Sequence, residues 1–200
     1  MAFRHNRENA TYGANSGGFR HLPSGLYVIN IIRCTENEKT NGKSRFEFEY
    51  DIVKGEYKDF FKEEYDKFSQ RSRSAFWTGS FWQYYEGKSA GYMDALINRF
   101  EDSNPSFRYR DDGGRCFEGF KIVASIQAVE TENESGFKNY RYYVRNTYSA
   151  KETRAKEDYD GNPLKVYEDS KYEKPDTTEQ ETSFDNTPND FGISDDDIEF

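Results

Sequence analysis

The eight residues Arg45-Phe46-Glu47-Phe48-Glu49-Tyr50-Asp51-Ile52 alternate without a break. On an extended chain Phe46, Phe48, Tyr50 and Ile52 share one face, and Arg45, Glu47, Glu49 and Asp51 share the other. A period of two with large apolar side chains on one side is the pattern of a half-buried β-strand. Upstream, Leu26 to Cys34 is a continuous apolar run rich in β-branched residues, which predicts a strand buried on both faces. Between the two runs, Thr35 to Lys43 is polar and holds Asn41-Gly42, a pair suited to a hairpin turn. Downstream, Lys54-Gly55-Glu56 predicts a turn into a third strand, Tyr57-Lys58-Asp59-Phe60-Phe61. Three successive antiparallel strands make a curved meander.

Residues 62–88 break the β pattern. Six of the ten residues from Phe76 to Tyr85 are aromatic, and Lys62, Lys67, Arg71, Arg73 and Lys88 surround them. Ser89 then has the chemistry of an N-cap. Met93, Leu96, Ile97 and Phe100 follow at the spacing of one helix face, which Asn104-Pro105 ends. Cys116 to Thr131 predicts a long strand, Asn133 to Gly136 a turn, and Phe137 to Tyr148 the returning strand. Three strands, a helix and two strands is the order of a five-stranded OB-fold barrel, a mainly β class that binds oligonucleotides across one face. A β-sandwich or another small barrel would give similar patterns. The expected organisation is a flexible N-terminal arm (1–22), the OB-fold domain (23–150), a linker or short helix (151–167) and a disordered acidic tail (168–200).

The charge supports that division. The chain of 200 residues carries a formal −9, from 28 Lys and Arg against 37 Asp and Glu. Residues 168–200 hold two bases and twelve acids, −10, which leaves the first 167 residues at +1. The body is therefore free to be locally basic. No apolar run approaches the ~18 residues of a membrane helix, and the N-terminus has no continuous apolar leader. A soluble cytoplasmic protein, not a membrane protein, is the expectation. Cys34 and Cys116 are isolated, which suits buried thiols better than a disulfide framework.

Little here suits catalysis. The only histidines, His5 and His21, lie in the expected arm, where a general base would be poorly held. There is no phosphate loop, no His-Glu-x-x-His and no Cys-x-x-Cys. Glu47, Glu49 and Asp51 are the only carboxylates whose spacing suggests a metal, and a solvated outer strand face explains them as well. No enzyme activity, no cofactor and no metal is expected.

Single-stranded nucleic acid needs flat rings for bases and cations for phosphates, and both are interleaved here. Arg71 and Arg73 lead into Trp77 and Trp82. Arg108 and Arg110 flank Tyr109. Arg141, Tyr143 and Arg145 place a ring between two cations on one strand face. These nine candidates, Tyr109 aside, are the expected nucleic-acid contacts, although many aromatic rings are also needed to fill a core poor in aliphatics. The chain ends Asp195-Asp196-Asp197-Ile198-Glu199-Phe200, an acidic run closed by a ring beside a carboxylate, which suits docking into an apolar pocket rimmed by cations.

That tip resembles the C-terminal tip of bacterial single-stranded DNA-binding proteins, Asp-Asp-Asp-Ile-Pro-Phe, with Glu199 in place of Pro. The resemblance implies recruitment of replication, recombination and repair proteins through Asp195, Asp196, Asp197, Ile198 and Phe200. Gly25 to Phe61, with Gly91-Tyr92 and Asn104-Pro105-Ser106-Phe107, is similar to phage and mobile-element proteins of replication modules. That similarity implies an OB-fold single-stranded DNA binder encoded by such an element in a bacterial host. The expected function is sequence-independent single-stranded DNA binding in replication, recombination or repair. The alternatives are an adaptor or inhibitor that captures host repair proteins through the tail without binding DNA, and a metal-dependent nuclease. A homo-oligomer is compatible with the sequence, and no coiled coil encodes one.

Overall fold

In the computed structural model, residues 20–38, 44–70, 72–132 and 138–172 are described. Six strands and three helices follow in chain order: β1 (Gly25–Glu38), β2 (Ser44–Ile52), α1 (Phe60–Ser69), β3 (Ser80–Tyr84), α2 (Ala90–Ser103), β4 (Lys121–Glu132), β5 (Lys138–Tyr148), α3 (Ala150–Ala155) and β6 (Ser170–Lys171). The sheet order is β3-β2-β1-β4-β5, with every one of these pairings antiparallel. β3 and β5, the ends of that order, come into contact, so the sheet curls into a nearly closed five-stranded barrel. α2 lies between the third and fourth strands, as an OB-fold requires.

One strand makes the closure possible. The first half of β1, Gly25 to Asn30, pairs with β4, and Ile29 to Glu38 pairs with β2. The register slips between Ile31 and Arg33, a bulge that bends the strand from one partner to the other. Ile29, Ile31 and Cys34 point into the core, while Ile32 is exposed at the bulge. The continuous apolar run is therefore not a strand buried on both faces: its apolar continuity reflects a change of face. β1 also runs four residues beyond Cys34, into the stretch expected to be turn, because Thr35 and Asn37 lie on the outer side of the barrel.

The expected third strand, Tyr57–Phe61, is instead a turn leading into α1. Short apolar runs serve helix or strand equally, and here a distant residue decides. The buried Asp51 carboxylate accepts the backbone N–H of Phe61 (3.0 Å) and of Lys62 (3.1 Å), binding the first turn of α1 to β2. Phe60 and Phe61 then point into the barrel against Tyr142 of β5. The third strand is β3, from the aromatic segment. Cys116 is likewise not in a strand: residues Arg115–Phe117 form a 3-10 turn, and β4 begins at Lys121. Ser89 occupies the N-cap of α2 but makes no capping bond, since the 3-10 turn Gly87–Ser89 runs directly into the helix.

The core is aromatic. Phe117 touches the rings of Phe46, Phe48, Phe100 and Phe107 at 5.1–6.0 Å. Met93, Leu96 and Phe100 are the buried face of α2. α3 starts in a capping box between Ser149 and Glu152, and Glu152 also holds the buried Arg99 guanidinium of α2.

The first and last described segments meet on the sheet. Leu22 is fully buried. His21 Nε2 lies 2.7 Å from Asp169 Oδ2, and Ser24 N–H donates to Asp169 Oδ1 at 2.7 Å. β6 pairs in parallel with β4 at Val129 and Glu130. Residues 20–22 and 168–172 thus clasp each other against the sheet. His5, Arg71 and the tip residues Asp195, Asp196, Asp197, Ile198 and Phe200 lie outside the described residues.

Candidate functional site

The outward side chains of three adjacent strands build an ordered array. In the β1–β2–β3 register, Arg33 sits beside Glu49 and Glu49 beside Ser80. Thr35 sits beside Glu47 and Glu47 beside Trp82. Asn37 sits beside Arg45 and Arg45 beside Tyr84. This surface forms a groove of about 400 Å³, which Trp77 and Phe81 also line. In an OB-fold the exposed face of the second and third strands is where ligands lie.

The two tryptophans are not equivalent. Trp82 points outward from β3 and is 45% exposed. The Arg45 guanidinium lies over its ring, 5.1 Å from the centroid, the geometry of a cation–π contact. Phe81, next along β3, points inward and stacks on Phe48, with centroids 4.7 Å apart and planes 9° from parallel. Trp82 thus projects outward from a strand that its neighbour Phe81 packs onto the core. Trp77 is half-buried. Its indole Nε1 donates to the carbonyls of Tyr50 (3.1 Å) and Gly79 (3.0 Å), and its ring packs on Tyr65. It anchors the entry to β3 and lines the groove.

Carboxylates occupy the cations of the groove. Arg33 is hydrogen-bonded to Glu49, and Arg45 to Glu47. Asn37 Nδ2 donates to the second oxygen of Glu47 at 2.8 Å. Two arginines and two glutamates leave this face neutral. Glu47 and Glu49 are therefore ion-pair partners, and Asp51 is occupied with the backbone of α1. Burial pushes the Asp51 carboxyl upward, against the pull of its three backbone N–H bonds. Among the described residues no group of three His, Cys, Asp or Glu is placed to hold a metal ion.

The other candidates lie elsewhere. Arg73 is exposed on the loop before β3. Arg108 donates to the carbonyls of Pro105 (3.0 Å) and Phe107 (2.5 Å), and Arg110 lies 3.9 Å from Asp112. Both are on the loop before β4, outside the groove lining. Arg141, Tyr143 and Arg145 are on β5, where Arg141 registers with Val129 and Tyr143 with Gln127 of β4. Arg145 stacks over Tyr143 at 5.1 Å and donates to Gln127 Oε1 at 2.8 Å. Gln127 in turn donates to the carbonyl of Glu168. This second ring–cation cluster therefore borders the C-terminal ribbon and not the groove.

Arg33, Thr35, Asn37 and Arg45 went unrecognised as site residues in the sequence. Their signal was available: they are the outward positions of the two strands whose inward positions are legible. Cys34 and Cys116 are buried free thiols, and burial raises both. No helix among the described residues is long and apolar enough to cross a membrane. No protein-family model matches the chain, and none of the curated proteins is similar to it.

Proposed function

We propose that the protein binds single-stranded DNA without sequence preference, as a non-catalytic component of replication, recombination or repair. The observation that carries this reading is Trp82: a half-exposed indole on the exposed β2–β3 face of an OB-fold, flanked by Arg45. A base stacking on an aromatic side chain gains roughly 1–3 kcal/mol whatever its identity. Arg33 and Arg45 lie on the same face as donors for the phosphates that such a base would carry with it. The tail completes the proposal: by its resemblance to the tip of bacterial single-stranded DNA-binding proteins, Asp195 to Phe200 recruits partner enzymes.

One experiment with two variants tests both halves. Fluorescence anisotropy of labelled oligo(dT) is measured for Trp82→Ala and for a chain lacking Ile198–Phe200. The stacking range translates to a loss of roughly five- to 150-fold in affinity for Trp82→Ala. The truncated chain is expected to bind DNA like the full one. Unchanged binding by Trp82→Ala would move the site off this face, and lost binding by the truncated chain would overturn the division of labour.

A further inference from the structure

The neutrality of the groove is built and not incidental. Each guanidinium on the β1–β2–β3 face has its own carboxylate one register position or two residues away: Glu49 directly across from Arg33, and Glu47 two along from Arg45. Carboxylate and phosphate present the same pair of oxygens to a guanidinium fork. Glu47 is further positioned by Asn37, so its place over Arg45 is fixed by a second residue. Among the described residues, Arg45 Nε is buried and without an acceptor, so the pairing with Glu47 leaves a donor unused.

Resting on the DNA-binding reading above, we infer that Glu47 and Glu49 are the specificity-determining residues of the groove, internal stand-ins for phosphate that a ligand must displace. Bare polyanions meet a neutral surface and gain nothing from it. A single strand gains first from stacking on Trp82, and its phosphates then exchange with the carboxylates on Arg33 and Arg45. The groove thereby selects chains that carry stackable bases over polyanions that carry only charge.

The test compares the full-length protein with Glu47→Gln/Glu49→Gln, using oligo(dT) and inorganic polyphosphate as ligands over a range of salt. Asp94→Asn/Glu101→Gln, two exposed carboxylates of α2 outside the groove lining, supplies the same change in net charge as a control. The groove variant is expected to bind oligo(dT) roughly tenfold tighter at low salt and to acquire affinity for polyphosphate. Two uncompensated cations should also steepen the log–log salt dependence by about 1.4, from ~0.7 per phosphate on a single strand. A parent that binds oligo(dT) and a groove variant that matches it, or that merely matches the α2 control, would overturn the role of the glutamates and leave the DNA-binding reading standing. Absence of oligo(dT) binding by both parent and variant would overturn the reading itself. Should the double variant fail to fold by circular dichroism, Glu49→Gln alone carries the test, with half the change in slope expected.

Discussion

Gly79 controls the entry to the candidate site at the smallest scale. Its carbonyl accepts both the Tyr50 N–H (2.8 Å) and the Trp77 indole N–H. A Cβ there would lie 2.5 Å from the Tyr50 carbonyl oxygen and 2.7 Å from the Phe61 ring. Backbone cannot retreat as a flexible side chain can, so Gly79→Ala should cost close to the upper end of the roughly 1–3 kcal/mol typical of overpacking. A drop in Tm with a shifted Trp emission maximum would check it, and an unchanged Tm would contradict it. None of this was legible from Thr78-Gly79-Ser80, which reads as loop. Trp77 and Trp82 also look alike in the sequence. They part company because β3 alternates, sending Phe81 in and Trp82 out, while Trp77 precedes the strand and gives its N–H to the backbone.

At the scale of elements, the sequence was most informative where one strand or helix carries its own pattern. The alternation from Arg45 to Ile52 is β2, and Met93, Leu96 and Phe100 are the buried face of α2. It was least informative where the outcome depends on a partner far along the chain. Phe60-Phe61 is helical because Asp51 holds the first turn of α1. Glu168 and Asp169 look like the start of a polar tail, yet Asp169 binds His21 and Ser24 and sets β6 on β4. Burial alone would raise the Asp169 carboxyl, but the bonds from Ser24 and His21 hold it below its ordinary value. A carboxyl lowered by folding contributes stability above the ordinary Asp range of about 3.9 and loses it as pH falls through the lowered value. Asp169→Asn should therefore melt below the parent protein at neutral pH, and the difference should shrink as pH drops through and below that range. Thermal melts of both proteins between neutral and acid pH check this. A gap of constant size would show that the clasp does not depend on the charge.

For the whole molecule, the separation of charge is the feature that the sequence displayed best and explained least. The body at +1 and the tail at −10 suggested a basic groove. The array on β1, β2 and β3 is instead neutral, because the strand register sets Glu49 against Arg33 and because Arg45 and Glu47 share the outer face of β2. The outward positions could be listed from the sequence, but their pairing required the register. The candidates on β5 and on the loop before β4 met the same compositional rule as Trp82, yet the barrel distributes them over other surfaces. On the proposed function, affinity for a single strand rests on Trp82 first and on phosphate contacts second. The most direct measurement of that claim is a tryptophan fluorescence titration with oligo(dT) at two salt concentrations. Stacking on Trp82 predicts quenching that saturates at low salt and needs more DNA at high salt. Unchanged emission, with no mobility shift of the DNA at low salt, would contradict it.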